Sequence, residues 1–335
     1  MSQEAQLELD TGPAQGPVEG VEVVEGLSPF RLAMRRFRRD KLSMAAFVVV
    51  MLYVVAAIAA PILVHFGVLD PYSYHQNLTN PNLGGLPKGG LGGMSSHHPL
   101  GVEPGSGTDV LSRLWYGITF SLLIALLATL VAVALGVVLG IVSGLSGGRT
   151  DWSIMRLVDL TLSFPQTLML LALSATGVAL LAKYLPGNEH SADVNGLYVI
   201  LVLGVFGWAN IARVIRGLVL SIREREFIDA ARLLGASRRR LYFKEVLPNL
   251  WSPVLVYFTL TLPLFVSALA ALQYLGVGVK APTPTLGNIL NDSTQWASSD
   301  FTYFFFPAVL IALIVISFNL VGDGLGDALN PKQDR

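Results

Sequence analysis

Residues able to do chemistry are few in this chain, and their spacing suits none of the common catalytic arrangements. There are no cysteines, which removes thiol chemistry, disulfides and Cys-ligated metals. The five histidines include one adjacent pair, His97-His98, set in a Gly-rich stretch where a plain loop role outweighs metal binding. Asp323 and Asp327 stand four apart near the C-terminus. Two carboxylates without further ligands do not make a metal site, and a salt bridge to the Arg-rich loop or the N-terminal basic segment is the expectation for both. Gly101-Val-Glu-Pro-Gly105-Ser-Gly-Thr108 has the glycines of a phosphate loop but no Lys before the Thr. No nucleophile, base and acid form a set. The expectation is a non-catalytic chain that binds no cofactor, metal or ATP itself.

What the charged residues offer instead is a docking surface. From Arg213 to Pro248 there are nine Lys/Arg against four Asp/Glu, a net +5, and the stretch separates two apolar runs. Phe227, Ala230, Ala231 and Leu234 recur at offsets of three and four, which predicts an amphipathic helix with those residues on its apolar face. Gly235 can take the left-handed conformation that closes a helix. Ser237 can cap the next one, and Pro248 is expected to limit its extent. Such a helix suits a groove on another protein, or equally an anionic membrane surface.

The surrounding elements are membrane spans. The chain is 335 residues long, 53% hydrophobic and 14% charged, with a mean hydropathy of +0.58 and a formal net charge of zero. A soluble domain carries about 25% charged residues, and zero net charge argues against a nucleic-acid partner. Six apolar runs, 42–66, 118–142, 157–181, 197–215, 251–274 and 304–321, are each near the ~20 residues a helix needs to cross ~30 Å of hydrocarbon. The fold class is therefore all-α with six transmembrane helices. With both termini inside, 19 of the 23 Lys/Arg fall on the inner side, which sets an N-in, C-in topology and a cytoplasmic loop at 220–248.

Other segments follow from composition. Residues 1–30 hold six acids and no Lys/Arg, as a disordered acidic tail would. Residues 31–41 form a basic amphipathic segment expected to lie on the inner leaflet among lipid headgroups. The external loop 67–117 is long and rich in Gly and Pro; loops of that length are functional or disordered. Gly136, Gly140 and Gly144, at four-residue spacing, offer a face for close helix approach. Pro165, Pro253 and Pro263 are expected to kink their spans. Among polar residues in the spans, Asp159 and Arg213 lie near inner ends and suit structural pairing, while Gln166 and Asn210 suit lining a pathway.

At the loop the chain becomes recognisable. Asp229-Ala230-Ala231-x3-Gly235-x9-Glu245-x-Leu247-Pro248 resembles the EAA loop of ABC-importer permeases, with Asp229 replacing the usual Glu and Glu245 the usual Ile. Glu226 belongs to the same element. Gly147-Gly-Arg-Thr-Asp151, Met155-Arg-Leu-Val-Asp159 and Phe164-Pro165 resemble peptide-type permeases. So do Pro282-Thr-Pro-Thr-Leu-Gly287 and Asn319-Leu-Val-Gly-Asp323-Gly-Leu-Gly-Asp327-Ala-Leu-Asn-Pro331, which are similar to the C-type subunit of dipeptide and oligopeptide permeases. Glu103 and Thr108 depart from the family's usual residues in the external loop, and Gly326 stands where relatives have Arg.

The resemblance implies the type I ABC-importer permease fold, with a permease core at 118–322 and a cytoplasmic C-terminal segment at 323–335. It further implies a B-type permease partner, two cytoplasmic ATPases that bind ATP and Mg, and an extracytoplasmic substrate-binding protein. The location implied is a prokaryotic inner membrane. Peptide import is the leading reading. A related importer of nickel chelates or glutathione, and from another class a secondary transporter, are the alternatives.

Overall fold

The computed structural model describes residues 29–185, 188 and 191–329, so residues 1–28 of the tail expected at 1–30 and the last six residues lie outside the described part, and residues 29–30 belong to a helix. Eleven α-helices run in chain order among the described residues: α1 (Pro29–Arg39), α2 (Lys41–His65), α3 (Val110–Ser146), α4 (Gly148–Ser163), α5 (Gln166–Tyr184), α6 (Ala192–Arg223), α7 (Glu226–Leu233), α8 (Arg238–Arg240), α9 (Trp251–Tyr274), α10 (Leu286–Thr294) and α11 (Phe301–Leu329). Among the described residues, six segments are long and apolar enough to cross a membrane: α2, α3, α5, α6, the helical path Arg238–Tyr274, and α11.

α3 and α6 form the centre of the bundle. The glycine stripe of α3 does what its spacing predicts. A Cβ on Gly136 would lie 2.7 Å from the Ile211 side chain, and one on Gly140 would lie 2.8 Å from Ile215 Cβ. Without those methylenes, Ile211, Ile215 and Val219 of α6 sit directly on the α3 backbone. Small residues promote helix association where water supplies no hydrophobic drive. Ala125, Ala128 and Ala132 continue the stripe, fully buried.

Interhelical hydrogen bonds to backbone carbonyls brace the spans, and one of them closes a gap that a proline opens. Pro61 has no N–H to give the Ala57 carbonyl four residues earlier. The Thr119 hydroxyl of α3 donates to that carbonyl at 2.8 Å, and Trp115 Nε1 donates to Ala56 O at 2.9 Å. Tyr53 OH reaches Leu310 O on α11 at 3.1 Å, and Tyr198 OH reaches Leu170 O on α5 at 2.6 Å. In hydrocarbon a freed carbonyl needs such a partner.

Several boundaries differ from the sequence reading. The third run, 157–181, is two helices: α4 stops at Ser163, Phe164 is extended, and α5 restarts at Gln166. Pro165 both lacks an N–H and pushes the residue before it out of the helical region. The second span starts at Val110 rather than 118, capped by Asp109, which accepts from Ser112 N at 2.8 Å. Its 37 residues give about 55 Å of helix at ~1.5 Å per residue, so it projects beyond the hydrocarbon. Pro248 does not end a helix. A π turn over Leu241–Val246 and a 3-10 turn over Leu247–Leu250 carry the path into α9. Nor is 323–329 a separate segment, because α11 runs unbroken to Leu329.

The external segment is folded. It carries a two-stranded hairpin, β1 (Thr79–Asn80) with β2 (Leu86–Pro87), in the register Thr79↔Pro87. Gly107 has φ +72°, and a Cβ there would overlap the His75 carbonyl, so glycine lets two loop strands touch. At the other end α1 packs on α2 and α11 through buried Ala33 and Phe37, leaving Leu32 and Met34 exposed.

Candidate docking surface between the fourth and fifth spans

α7 follows extended Arg225 and opens with Glu226 and Asp229 in its first turn, where carboxylates complement the helix N-terminus. Asp229 Oδ1 accepts from Arg232 Nη1 at 3.2 Å on the surface. Closure is by a left-handed residue: Gly235 has φ +75°, and Ala236 N donates to Ala231 O at 2.9 Å. Nothing lies within 4 Å of a Cβ at Gly235, so the backbone angle, not space, requires glycine. Ser237 Oγ then accepts from Arg240 N at 3.3 Å, the expected cap.

The apolar face is not the expected one. Of Phe227, Ala230, Ala231 and Leu234, only Ala231 is buried. The anchor is Ile228, fully buried and three residues before Ala231. An eight-residue helix lying on the protein body buries one narrow line, and the i, i+3 pair is that line. Leu233 and Leu234 are left 90% and 85% exposed, with Phe227 beside them at 39%. Beneath the loop, Leu241, Val246 and Leu250 are buried, Leu247 packs partly against the core, and Pro248 is exposed. The result is an exposed apolar tip among cations on a firmly packed base.

One ion pair and several hydrogen bonds hold the inner ends of the helices together around that base. Arg216 grips Asp151 with two bonds of 2.6 Å, Nε to Oδ1 and Nη2 to Oδ2, and the Ser143 hydroxyl also donates to Asp151. The Arg216 guanidinium, aided by Ser143, holds the Asp151 carboxyl below the usual carboxylate range against a smaller opposing effect of burial. Arg223 Nη1 donates to Gly144 O at 3.2 Å, and the Tyr242 and Ser146 hydroxyls meet at 3.0 Å. Sequence reading missed Asp151–Arg216 because 65 residues separate the partners, although Asp151 stands in a recognised segment.

The other candidates fall out unevenly. Asp159 and Arg213 do pair, at 2.7 Å, with both side chains half exposed. Asp323 and Asp327 are exposed and belong to no ion pair among the described residues, so the expected bridge to the arginines is absent. Their helix buries Gly324 against Ser43 and Phe37, while both carboxylates stay exposed. Gln166 begins α5 with Nε2 buried and unpartnered, whereas Asn210 is exposed on α6; no hydrogen bond among the described residues joins them. His98 Nδ1 meets Asp109 Oδ1 at 3.0 Å beside the His75 ring, and no cluster of three or more His, Cys, Asp or Glu suited to a metal occurs among the described residues.

A second polar cluster, at the outer end, was not anticipated. Glu103 accepts from Arg113 Nη1 at 2.8 Å, from Tyr303 OH at 2.8 Å, and from Ser106 and Thr108 hydroxyls. All but Ser106 are buried. A charge pair taken out of water holds together only when its remaining lone pairs are satisfied, and here three hydroxyls do so. In the sequence, Glu103 and Thr108 stand out only as departures from a family pattern. Their joint use became visible once Tyr303, 200 residues away, was placed beside them.

Comparison with known proteins accords with this architecture. Residues 136–335, from the glycine stripe through the loop to α11, match the model for binding-protein-dependent transport system inner membrane components. The chain belongs to this family. Its N-terminal part, residues 28–84, matches the N-terminal TM domain of oligopeptide transport permease C.

Among relatives of this inner membrane component, the oligopeptide transport system permease protein OppC of Bacillus subtilis is 35% identical over 92% of this chain and 91% of its own length. The dipeptide transport system permease protein DppC of the same organism is 34% identical over 90% of this chain and 86% of its own. OppC of Escherichia coli K12 is 33% identical over 92% and 93%. Among solved structures, an inward-facing crystal form of the MetNI methionine ABC transporter aligns with a TM-score of 0.52 at 19% identity, covering 66% of this chain and 96% of that one. The fold is thus that of type I ABC-importer permeases, and this permease is a multi-pass inner-membrane protein.

Proposed function

We propose that this chain is the C-type permease subunit of an ATP-driven importer of peptides. It pairs with a B-type permease, receives substrate from an extracytoplasmic binding protein, and docks two cytoplasmic ATPases, which bind the ATP and Mg while this chain binds no cofactor. The relatives named for oligopeptide and dipeptide transport support the substrate class. The observation that carries the coupling role is the α7 tip. Leu233 and Leu234 stand almost fully exposed between cations, while Ile228 below them has no exposure at all. A tip so built fits a groove in a partner, and its packed base passes force onward.

The path of that force is continuous. A push on α7 reaches the π turn at Leu241–Val246 and then α9, while Arg216 and Arg223 link the inner end of α6 to Asp151 and Gly144. Rocking these helices against the partner permease exposes the pathway to one side and then the other. Docking energy equal in both states shifts nothing, so the ATPase must grip α7 differently in each.

Gly235→Trp and Asp229→Lys test the role in reconstituted vesicles containing the full complex. Gly235→Trp forces a bulky side chain into a left-handed backbone; Asp229→Lys removes the Arg232 pairing and reverses the charge. The expected outcome is ATP hydrolysis no longer stimulated by loaded binding protein, with peptide uptake lost. Variants that keep stimulated hydrolysis and uptake sink the coupling role.

A further inference from the structure

The outer end of α9 holds a polar side chain for which the described residues supply no partner. Gln273 is 4% exposed, pressed between Gly278 and Gly287, and neither its Nε2 nor its Oε1 has a hydrogen-bond partner. Buried amides are almost always satisfied, so an orphan of this kind needs an explanation. Gln273 lines a half-open cavity of about 260 Å³ bordered by residues 276–281 and α10. On the other side of the 276–280 segment a second cavity of about 260 Å³ opens toward Ser174 of α5 and Asn195 of α6. The two therefore flank one strap at the outer ends of helices that belong to the permease core.

The first cavity also holds two opposite charges, Asp292 and Lys280, that form no ion pair with each other. Asp292 of α10 lines it and belongs to no ion pair among the described residues. Burial pushes its carboxyl above the usual range, and the Glu103 charge adds to this against Arg113. Asp292 is thus a group that gains from a cation. A metal ion fits poorly, because no cluster of three His, Cys, Asp or Glu lies within the described residues. A carboxylate flanked by a free side-chain amide has the pattern of one positive charge followed by one peptide unit.

We propose that this cavity is a subsite for the amino end of a peptide in transit, with Asp292 holding the α-ammonium and the Gln273 amide pairing with the first peptide group. The inference rests on the peptide reading above and adds where the permease itself touches its cargo. The cavity is smaller than the ~300–1,000 Å³ typical of pockets that enclose a whole ligand. It takes one end of the peptide and leaves the remainder free, which suits a carrier of varied sequences. Gln273 must turn slightly to meet the ligand, since both its amide atoms are shielded in the unliganded cavity.

The absence of cysteine makes a direct test possible. Asn291→Cys places a thiol on the cavity wall while keeping Asp292, and Ala281→Cys serves if that variant fails to assemble. The whole importer is reconstituted and the thiol is labelled with a charged methanethiosulfonate, with Ala-Ala-Ala or N-acetyl-Ala-Ala-Ala present and no binding protein. Ala-Ala-Ala is expected to slow labelling about fivefold at about four times its Kd. The acetylated peptide is expected to give no protection, and Asp292→Asn to abolish it. Equal protection by both peptides, none by either, or protection that survives Asp292→Asn overturns the subsite. Uptake of Ala-Ala-Ala by wild-type vesicles with binding protein reports separately on peptide import: its failure removes that reading, whereas lost protection with intact uptake removes the subsite alone.

Discussion

Asp151 illustrates how one residue fixes an inner corner of the bundle. It accepts from two nitrogens of Arg216 and from Ser143, and so ties α4 to both α3 and α6. Charge-assisted, two-point bonds of this kind are the stronger class. Because the native carboxyl is held below its usual value of 3.8, the unfolded chain binds the proton more readily. The contribution is therefore complete above pH ~4 and is lost as pH falls through the lowered native value. Asp151→Asn is expected to lower stability by about 1–3 kcal/mol near neutral pH. Thermal melts in detergent would show the gap from wild type closing below about pH 4; a gap independent of pH counts against the charge as its source.

Among elements, α3 and α6 are the pair on which the rest is mounted. The glycines of α3 were legible as a close-packing face, and the structure places Ile211, Ile215 and Val219 on them. Which helix would occupy the face was not legible, since any of five other spans had apolar residues to offer. A Cβ on Gly140 would sit 2.9 Å from Ala212 O, a backbone atom that cannot step aside. Gly140→Leu is expected to cost at least the ~1–3 kcal/mol of an overpacked core and to appear as a lower melting temperature with reduced yield of folded permease. Gly217 on α6, with nothing within 4 Å, is the control: Gly217→Ala is expected to be silent. The α7 face shows the opposite case. Periodicity nominated Phe227, Ala230, Ala231 and Leu234, but burial selected Ile228 and Ala231, because a helix this short has apolar residues all round and only its seat decides which are covered.

At the scale of the molecule, the spans differ in how much of their surface the chain itself covers. Only 6% of the apolar window of α5 is buried, against 50% for α6 and 44% for α3. A partner permease is expected to cover part of α5. In a chain without cysteine, Leu173→Cys on α5 and Val55→Cys on α2 are clean reporters at exposed positions, 41% and 58% respectively. When the full importer assembles, a membrane-permeant maleimide is expected to label Leu173→Cys several-fold more slowly than in the isolated chain, and Val55→Cys at the same rate. Equal rates at Leu173→Cys in both preparations place the partner elsewhere.

The six spans, their boundaries at α2 and α9 to within a residue, and the glycine and serine signals of the loop could all be read from the chain alone. Each depends on local chemistry: hydrocarbon thickness sets the run length, and the left-handed angle at Gly235 or the capping at Ser237 needs only near neighbours. The break at Pro165 was half visible, as a kink, because proline's clash is local, but whether the chain bends or stops there depends on what packs around it. What only the tertiary structure decided are the encounters across long stretches of sequence: Asp151 with Arg216, Glu103 with Tyr303, Thr119 filling the bond Pro61 leaves open, and Gln273 stranded between two glycines. Charges and carbonyls inside a membrane must find partners wherever the fold brings them. Those partners are chosen by helix position, which pattern along the chain does not encode.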